Sequence, residues 1–115
     1  MLKKGCAGAE LECELGLCCN YGNCGLKKSA KRAVYFYELA AKRGYSRAHF
    51  ELAACYSTGK GVDMNQKKAA EYTRFAAEEG YAPAQNNLAY FYVEGRGVVK
   101  DWAEVVRWSK LAAAQ

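Results

Sequence analysis

An all-α fold, specifically an α/α superhelical solenoid of about six helices, is predicted by two features of the sequence. Residues 33–62 and 69–98 align without a gap and share a dozen identical residues, which sets a period of 36 residues. The chain also contains one proline and abundant alanine. This composition favours helix, because alanine loses no side-chain entropy there whereas proline interrupts the backbone hydrogen bonds. Repeats of this length are typical of stacked helix pairs that bury their apolar faces only against their neighbours.

Each 36-residue unit is predicted to contain two helices. Short polar side chains that can accept from the unpaired amides of a first helical turn recur every 36 residues, at Ser29, Asn65 and Asp101. Gly44 and Gly80 are expected to end the helices that follow the first two caps, since glycine tolerates the left-handed conformation. The predicted helices span residues 9–20, 30–43, 47–58, 66–79, 83–94 and 102–114.

The same period divides the chain, which we interpret as one domain over residues 1–115. Residues 29–64 and 65–100 are predicted to form two full repeats. Residues 1–28 then form a degenerate, cysteine-rich half-repeat, and residues 101–115 form a half-repeat helix.

Residues 33–62 and 69–98 share the pattern Ala-x-x-aromatic-x-x-x-Ala-Ala-x-x-Gly-Tyr-x-x-Ala-x-x-x-Leu-x-x-x-Tyr-x-x-Gly-x-Gly-Val. This pattern resembles the Sel-one-like repeat, a relative of the tetratricopeptide repeat. The resemblance implies a superhelix that acts as a non-enzymatic adaptor or scaffold and binds another protein. It supplies no catalytic residues and no cofactor.

A weaker resemblance, to the Helicobacter-type cysteine-rich proteins, implies an alternative function. Those relatives staple each helix pair with two cysteines, whereas the equivalent positions here hold Ala41 with His49, and Ala77 with Gln85. The alternative is a secreted, disulfide-stapled repeat protein that binds a small ligand such as a β-lactam.

Five of the six cysteines lie in the first quarter of the chain. These cysteines could form capping disulfides, remain free thiols or bind a metal. Their spacing does not match the paired Cys-x-x-Cys motifs of structural zinc. The candidates for disulfides are Cys6, Cys13, Cys19 and Cys24, and no metal site is predicted. We expect Cys18 and Cys55 to be small buried thiols.

Charge and hydropathy narrow the possible partners. The net charge of +5 comes from scattered basic residues, so we expect no nucleic-acid partner, and no apolar run is long enough for membrane insertion. The residues after Met1 do not resemble a signal peptide, which predicts a cytoplasmic location, or a secreted or periplasmic one if the cysteines are oxidised. The single histidine, His49, is expected in a groove or facing solvent and lies at the wrong helical spacing to pair with Cys55, so no enzyme is predicted.

Candidate partner-binding residues are positions that vary between units while the core pattern is kept. One row consists of Tyr35, Glu71 and Arg107, and a second contains Tyr37. On the other helices the variable positions include Phe50, Asn86 and Asn87. Tyrosine and arginine are common interface anchors, so Tyr35 and Arg107 are the first choices.

The last predicted helix carries an extra apolar stripe. Trp102 and Val106 lie one turn apart, and terminal repeats usually present a polar outer face. Exposed apolar surface there predicts either self-association, as a homodimer through the C-terminal helix, or docking on another subunit.

Overall fold

The computed structural model describes residues 6–22, 25 and 28–114. This part of the chain forms six helices and no strand: α1 (Cys6–Tyr21), α2 (Ala30–Lys42), α3 (Ser46–Thr58), α4 (Gln66–Glu78), α5 (Ala82–Glu94) and α6 (Trp102–Ala113). The predicted fold class is confirmed. The helix bounds agree with the predicted ones to within one residue, except that α1 begins three residues early and ends one late.

The three predicted caps begin the even-numbered helices. The side chain of Ser29 accepts a hydrogen bond from the Arg32 amide at 3.3 Å, and Asn65 accepts from the Lys68 amide at 3.1 Å. Asp101 accepts from the amides of the first turn of α6, at 3.0 and 3.4 Å. These side chains satisfy donors that a helix leaves unpaired at its amino terminus, which fixes where each even-numbered helix starts.

Tight turns join α2 to α3 and α4 to α5. Gly44 and Gly80 adopt positive φ values of 82° and 91°, as predicted for residues that end helices. The next residue in each turn donates its amide to the preceding helix, Tyr45 to the Ala40 carbonyl at 3.3 Å and Tyr81 to the Ala76 carbonyl at 3.1 Å. These short connections make consecutive helices antiparallel neighbours.

Fully buried alanines lie where the helices approach one another. The helices pack most extensively in the pairs α1 with α2, α3 with α4, and α5 with α6. The alanines with no exposed surface include Ala33, Ala40, Ala48, Ala69, Ala76 and Ala84. Larger side chains fill the spaces between these contacts, among them Leu52, Leu88 and Trp108. The apolar core therefore runs along the stack instead of forming one centre.

Tyr37 is part of this core, which corrects its prediction as a partner-binding residue. Its side chain has no exposed surface. The ring lies against Gly16 of α1, where a β-carbon would be only 2.6 Å from a ring carbon. Because Gly16 has no side chain, the Tyr37 ring has room beside it. In the next unit, the position equivalent to Tyr37 holds the smaller Thr73. A residue without exposed surface cannot contact a partner in the folded state.

Two glycine turns provide a test of this packing. Gly61 and Gly44 both have positive φ, 78° and 82°, but a β-carbon at Gly61 would lie 2.6 Å from the Ala30 carbonyl oxygen, whereas described atoms stay beyond 4 Å at Gly44. Alanine is strained at both positions by the backbone conformation. Only Gly61→Ala adds a steric clash, which we expect to cost about 1–3 kcal/mol more than Gly44→Ala. Urea unfolding of the two variants measures the difference, and equal losses would contradict the close approach.

Candidate functional site

A cleft of about 300 Å³ opens between α3 and α5, with the buried Thr73 of α4 in its lining. Its walls combine the rings of Phe50 and Tyr90 with the polar side chains of Ser57 and Asn87. The Tyr90 side chain is 65% exposed. Rings that can take up an apolar side chain therefore stand beside an amide that can both donate and accept a hydrogen bond.

The guanidinium group of Arg96 lies at one end of this α3–α5 cleft, and two contacts restrict its position. Arg96 lies over the Phe91 ring at 5.7 Å and forms an ion pair with Glu94 at 3.3 Å. Both the cation–π contact and the ion pair restrict the side chain, so a partner would find it already oriented. Arg96 belongs to the cleft lining, together with Glu94.

The sequence indicated part of the α3–α5 cleft. Phe50 and Asn87 were among the variable positions, whereas Tyr90 and Arg96 were not. The signal for Tyr90 was present, because the equivalent residue one unit earlier is Ala54 and the change places a large ring on the surface.

The predicted row of Tyr35, Glu71 and Arg107 lies exposed on α2, α4 and α6. Tyr35 packs edge-on against Phe36 with ring centroids 5.4 Å apart and lines an apolar cavity of about 300 Å³ between α1 and α2. Arg107 lies over the Trp108 ring at 4.9 Å and pairs with Glu104 at 3.6 Å. All three residues are accessible, but Glu71 and Arg107 lie outside the cavity at Tyr35.

Asn86 lies apart from Tyr35. It lines a cavity of about 260 Å³ between α5 and α6, together with Tyr90 and Ser109. The structure therefore separates the predicted partner-binding residues into two groups, one on α2, α4 and α6 and the other beside the α3–α5 cleft.

His49 is buried, which corrects the expectation that it faces solvent. It lines a groove of about 160 Å³ together with Leu52 and Tyr72, as the other expectation for this residue predicts. Its ring stacks on Phe75 with centroids 3.9 Å apart, and its Nδ1 lies 3.2 Å from the Tyr45 carbonyl oxygen. Burial lowers the pKa of His49 below its usual value, against smaller opposing contributions from the Tyr45 carbonyl and the Glu79 carboxylate. The neutral ring acts as a packing residue between α3 and α4.

The cysteines within the described residues do not support the disulfide prediction. Cys13 and Cys19 are buried free thiols, which corrects their assignment to a capping disulfide. The Cys6 side chain and Cys24 lie outside the described residues. Cys55 is buried as expected, whereas Cys18 is half-buried. Burial is the largest cause that raises the pKa of both Cys13 and Cys55 to about 11, so each is a protonated, weak nucleophile at neutral pH.

The part of the chain that the structure describes contains neither a cluster of metal ligands nor a membrane-spanning helix. Within residues 6–22, 25 and 28–114, no three or more His, Cys, Asp or Glu side chains cluster as metal ligands would. None of the helices in that part of the chain is long and apolar enough to cross a membrane.

Trp102 and Val106 of α6 are both exposed, with the half-buried Val105 beside them. The apolar stripe that the sequence predicts is therefore accessible on the surface. Self-association through it stays a prediction.

A family model, the Sel1 repeat, matches three consecutive segments of the chain, residues 9–45, 46–81 and 82–115. The chain belongs to the Sel1 repeat family. The matched Sel1 units begin within α1 and at the first residues of α3 and α5. Each unit therefore contains one of the closely packed helix pairs, and the division at residues 29–64 and 65–100 has the same period but starts half a unit later.

Solved structures of Sel1 proteins are similar to this one. A Sel1 repeat protein from Oxalobacter formigenes has 32% identity and a TM-score of 0.89, over 92% of this chain and 43% of that one. The protein c5321, a protective antigen of uropathogenic Escherichia coli with an SLR fold, has 32% identity and a TM-score of 0.90, over 93% of this chain and 23% of that one. The chain thus spans less than half the length of either relative.

A third structure is similar in fold alone. The Helicobacter pylori cysteine rich protein B has 22% identity and a TM-score of 0.78, over 96% of this chain and 85% of that one. Comparison with curated proteins finds no significant match.

The buried His49 predicts a pH dependence of stability. Its pKa in the folded state is lowered, so the unfolded chain binds the proton more readily. The stability supplied by the neutral ring is fully present above the unfolded pKa, and it is lost as the pH falls through the lowered pKa of the folded state. We expect the wild type to lose stability relative to His49→Phe between about pH 7.5 and pH 5.5.

Denaturant unfolding of both proteins at each pH measures this change. His49→Gln, which also cannot titrate, is the second comparison and separates charge from ring stacking. A difference between wild type and His49→Phe that stays constant with pH would contradict the burial of a neutral imidazole.

The buried thiols predict slow chemical modification. Cys13 and Cys55 are both shielded from solvent and protonated at neutral pH. We expect iodoacetamide to label them in the native protein at least tenfold more slowly than in urea, since labelling requires opening of the helix pair. Peptide mass spectrometry of the labelled protein identifies each site, and equal rates in the two conditions would show that these thiols are accessible.

Proposed function

We propose that this Sel1 chain is a non-catalytic module that binds a polypeptide partner and serves as an adaptor or scaffold. Sel1 repeat proteins generally mediate protein–protein interaction and are typically non-catalytic. The observation that carries the proposal for this chain is the α3–α5 cleft, where an exposed ring, an amide and an oriented guanidinium lie together on a rigid helical frame.

The chemistry of the α3–α5 cleft suits a peptide segment. Phe50 and Tyr90 offer apolar surface to a side chain, and Asn87 can pair with a peptide group. Arg96 adds a positive charge at one end. Tyrosine and arginine recur as the residues that contribute most to protein interfaces, because they bury a large area while keeping a polar group satisfied.

The row on the even-numbered helices is the second part of the proposed recognition surface. Tyr35 and Arg107 are exposed, and Arg107 is held by the Trp108 ring and by Glu104. Glu71 occupies the equivalent position on α4, the even-numbered helix between α2 and α6. This arrangement supports a partner that extends over more than one unit, as solenoid surfaces allow.

Self-association through α6 is also part of the proposal. Its support is the apolar surface of Trp102 and Val106, both exposed on the described protein. Contiguous apolar surface of this kind is common at interfaces.

No observation favours the disulfide-stapled, small-ligand alternative. The Sel1 units lack the paired cysteines, and Cys13, Cys19 and Cys55 are free thiols. The likeness to the Helicobacter protein extends to fold only.

Tyr90 and Tyr21 form a matched pair for testing the α3–α5 cleft, because their side chains are 65% and 64% exposed but only Tyr90 lines it. We expect Tyr90→Ala to weaken capture of the partner about 30-fold, the effect of losing a central interface residue. Tyr21→Ala should leave capture unchanged. Quantitative affinity purification of wild type and variants measures the difference.

The double variant Tyr35→Ala, Arg107→Ala tests the row in the same experiment. We expect it to reduce capture of the same partner. Capture that no variant alters would overturn both proposed surfaces, and equal losses for Tyr90→Ala and Tyr21→Ala would overturn the role of the α3–α5 cleft.

A further inference from the structure

The contact between successive Sel1 pairs occurs twice inside the chain, where α2 packs on α3 and where α4 packs on α5. The buried residues of α2 are Ala33, Val34, Tyr37, Ala40 and Ala41, of which Tyr37 lies against α1, and they share one apolar cluster with Ala48, Leu52 and Cys55 of α3. In the second joint, the equivalent residues are Ala69, Ala70, Thr73, Ala76 and Ala77 of α4, with Ala84, Leu88 and Phe91 of α5. The joint therefore has two different sides, one on an even-numbered helix and one on an odd-numbered helix.

The even side of this joint recurs on α6, where it is open. The equivalent residues, 36 positions after those of α4, are Val105, Val106, Ser109, Ala112 and Ala113. Val106 is 50% exposed, whereas Val34 and Ala70 at the same position are 4% and 2% exposed. Val105 packs against the apolar cluster that includes α5, so the open part of this face is Val106 with the exposed Ser109 and Ala113.

The odd side of the joint recurs on α1, where it is also open. The Gly22 amide donates to the Cys18 carbonyl at 2.8 Å, as the Gly59 amide does to the Cys55 carbonyl, which aligns the end of α1 with the end of α3. This alignment places Leu11 at the position of Ala48. Leu11 is 61% exposed, whereas Ala48 is fully buried. The next residue of the face, Leu15, is half-buried where its counterpart Leu52 is buried.

The glycine turns give a second, independent sign of the same opening. The turn after α3 brings Gly61 against the Ala30 carbonyl at the start of α2, and the turn after α5 brings Gly97 against the Gln66 carbonyl at the start of α4. Gly25, after α1, has the same left-handed conformation with φ of 76°, but no described atom lies within 4 Å of a β-carbon there. Gly25 therefore has the backbone conformation of its two counterparts, but no described atom takes the place of the helix start that they contact.

The cavity between α5 and α6 has one of the two walls that form the α3–α5 cleft. Its lining includes Asn86, Ala89, Tyr90, Val93 and Ser109, each 36 residues after a lining residue of that cleft. In the α3–α5 cleft the second wall comes from the next odd-numbered helix, α5. At α6 that wall is absent from the described residues.

We propose that a second copy of this chain covers the faces of α1 and α6 that are open among the described residues, with α6 of one copy packed on α1 of the next as α2 packs on α3. This inference rests on the proposed self-association through α6 and specifies the surface that α6 meets. Gly25 of the second copy would then lie against the start of α6 at Trp102, and α1 would complete the cavity beside Asn86. Charge agrees, because Glu10 of α1 and Lys110 of α6 have opposite signs and form no ion pair among the described residues. Glu12, Glu14 and Arg107 already pair within their own chain.

The two sides of the proposed contact differ, so each added copy leaves one open side at either end. Such a head-to-tail contact continues beyond a dimer instead of closing on itself. We expect the weight-average mass to rise with concentration past twice the 12.7 kDa of one chain. Sedimentation equilibrium measures this mass.

Complementation between two blocked variants distinguishes this arrangement from a symmetric dimer. Val106→Glu blocks the face on α6, and Leu11→Glu blocks the face on α1. We expect each variant alone to be a monomer, and an equimolar mixture to form a one-to-one dimer that grows no further. Val99→Glu, at a site before α6 where the side chain is 85% exposed, is the control and should assemble like the wild type. Trp102→Glu provides a second block on α6 if Val106→Glu does not fold.

Each other outcome overturns the inference in a recognisable way. A dimer of Leu11→Glu alone would indicate that α6 pairs with α6, which keeps self-association through α6 and removes the role of α1. A wild type that stays monomeric at every concentration would overturn both self-association through α6 and the role of α1. Tyr90-dependent capture of a partner would still support the proposed binding function.

Discussion

Close contact between helices through small side chains is the constraint on which the rest of this structure depends. Alanines without exposed surface recur at equivalent positions of successive helices, among them Ala33, Ala48, Ala69 and Ala84. A methyl group at the crossing lets two backbones approach, and the larger Leu52 and Leu88 then fill the spaces on either side. Because each apolar face is completed only by its neighbour, stability is shared along the stack.

Core positions and surface positions of the repeat therefore have different roles. Residues at the crossings are nearly constant between units, whereas surface positions change freely, as from Ala54 to Tyr90. The scaffold therefore tolerates new side chains on its edges without loss of its core. Recognition in such a molecule is set by what is added to a common frame, which is why the surfaces on the two edges differ while the helices beneath them superimpose.

The sequence predicted the helices well because their ends are set by local chemistry. The caps at Ser29, Asn65 and Asp101 and the glycines at the ends of α2 and α4 act within a few residues, so spacing alone identifies them. Burial at a given position was harder to predict. Tyr37 occupies a varying position of the repeat, which predicts a surface residue, yet Gly16 of another helix makes room for it. His49 does not face solvent for a similar reason, since Phe75 of α4 covers it. A period indicates where a residue lies within its unit, but not which side chains the neighbouring helix places against it.

The pairing of Tyr37 with Gly16 makes the first Sel1 unit different from the others. A large ring on one helix and a missing side chain on its partner are complementary only to each other. If α2 packed instead on a helix with alanine at that place, as α4 does on α3, the ring and the methyl group would compete for the same space. The units therefore share one geometry but are not interchangeable. Side-chain packing within the core determines the order in which they follow one another along the chain.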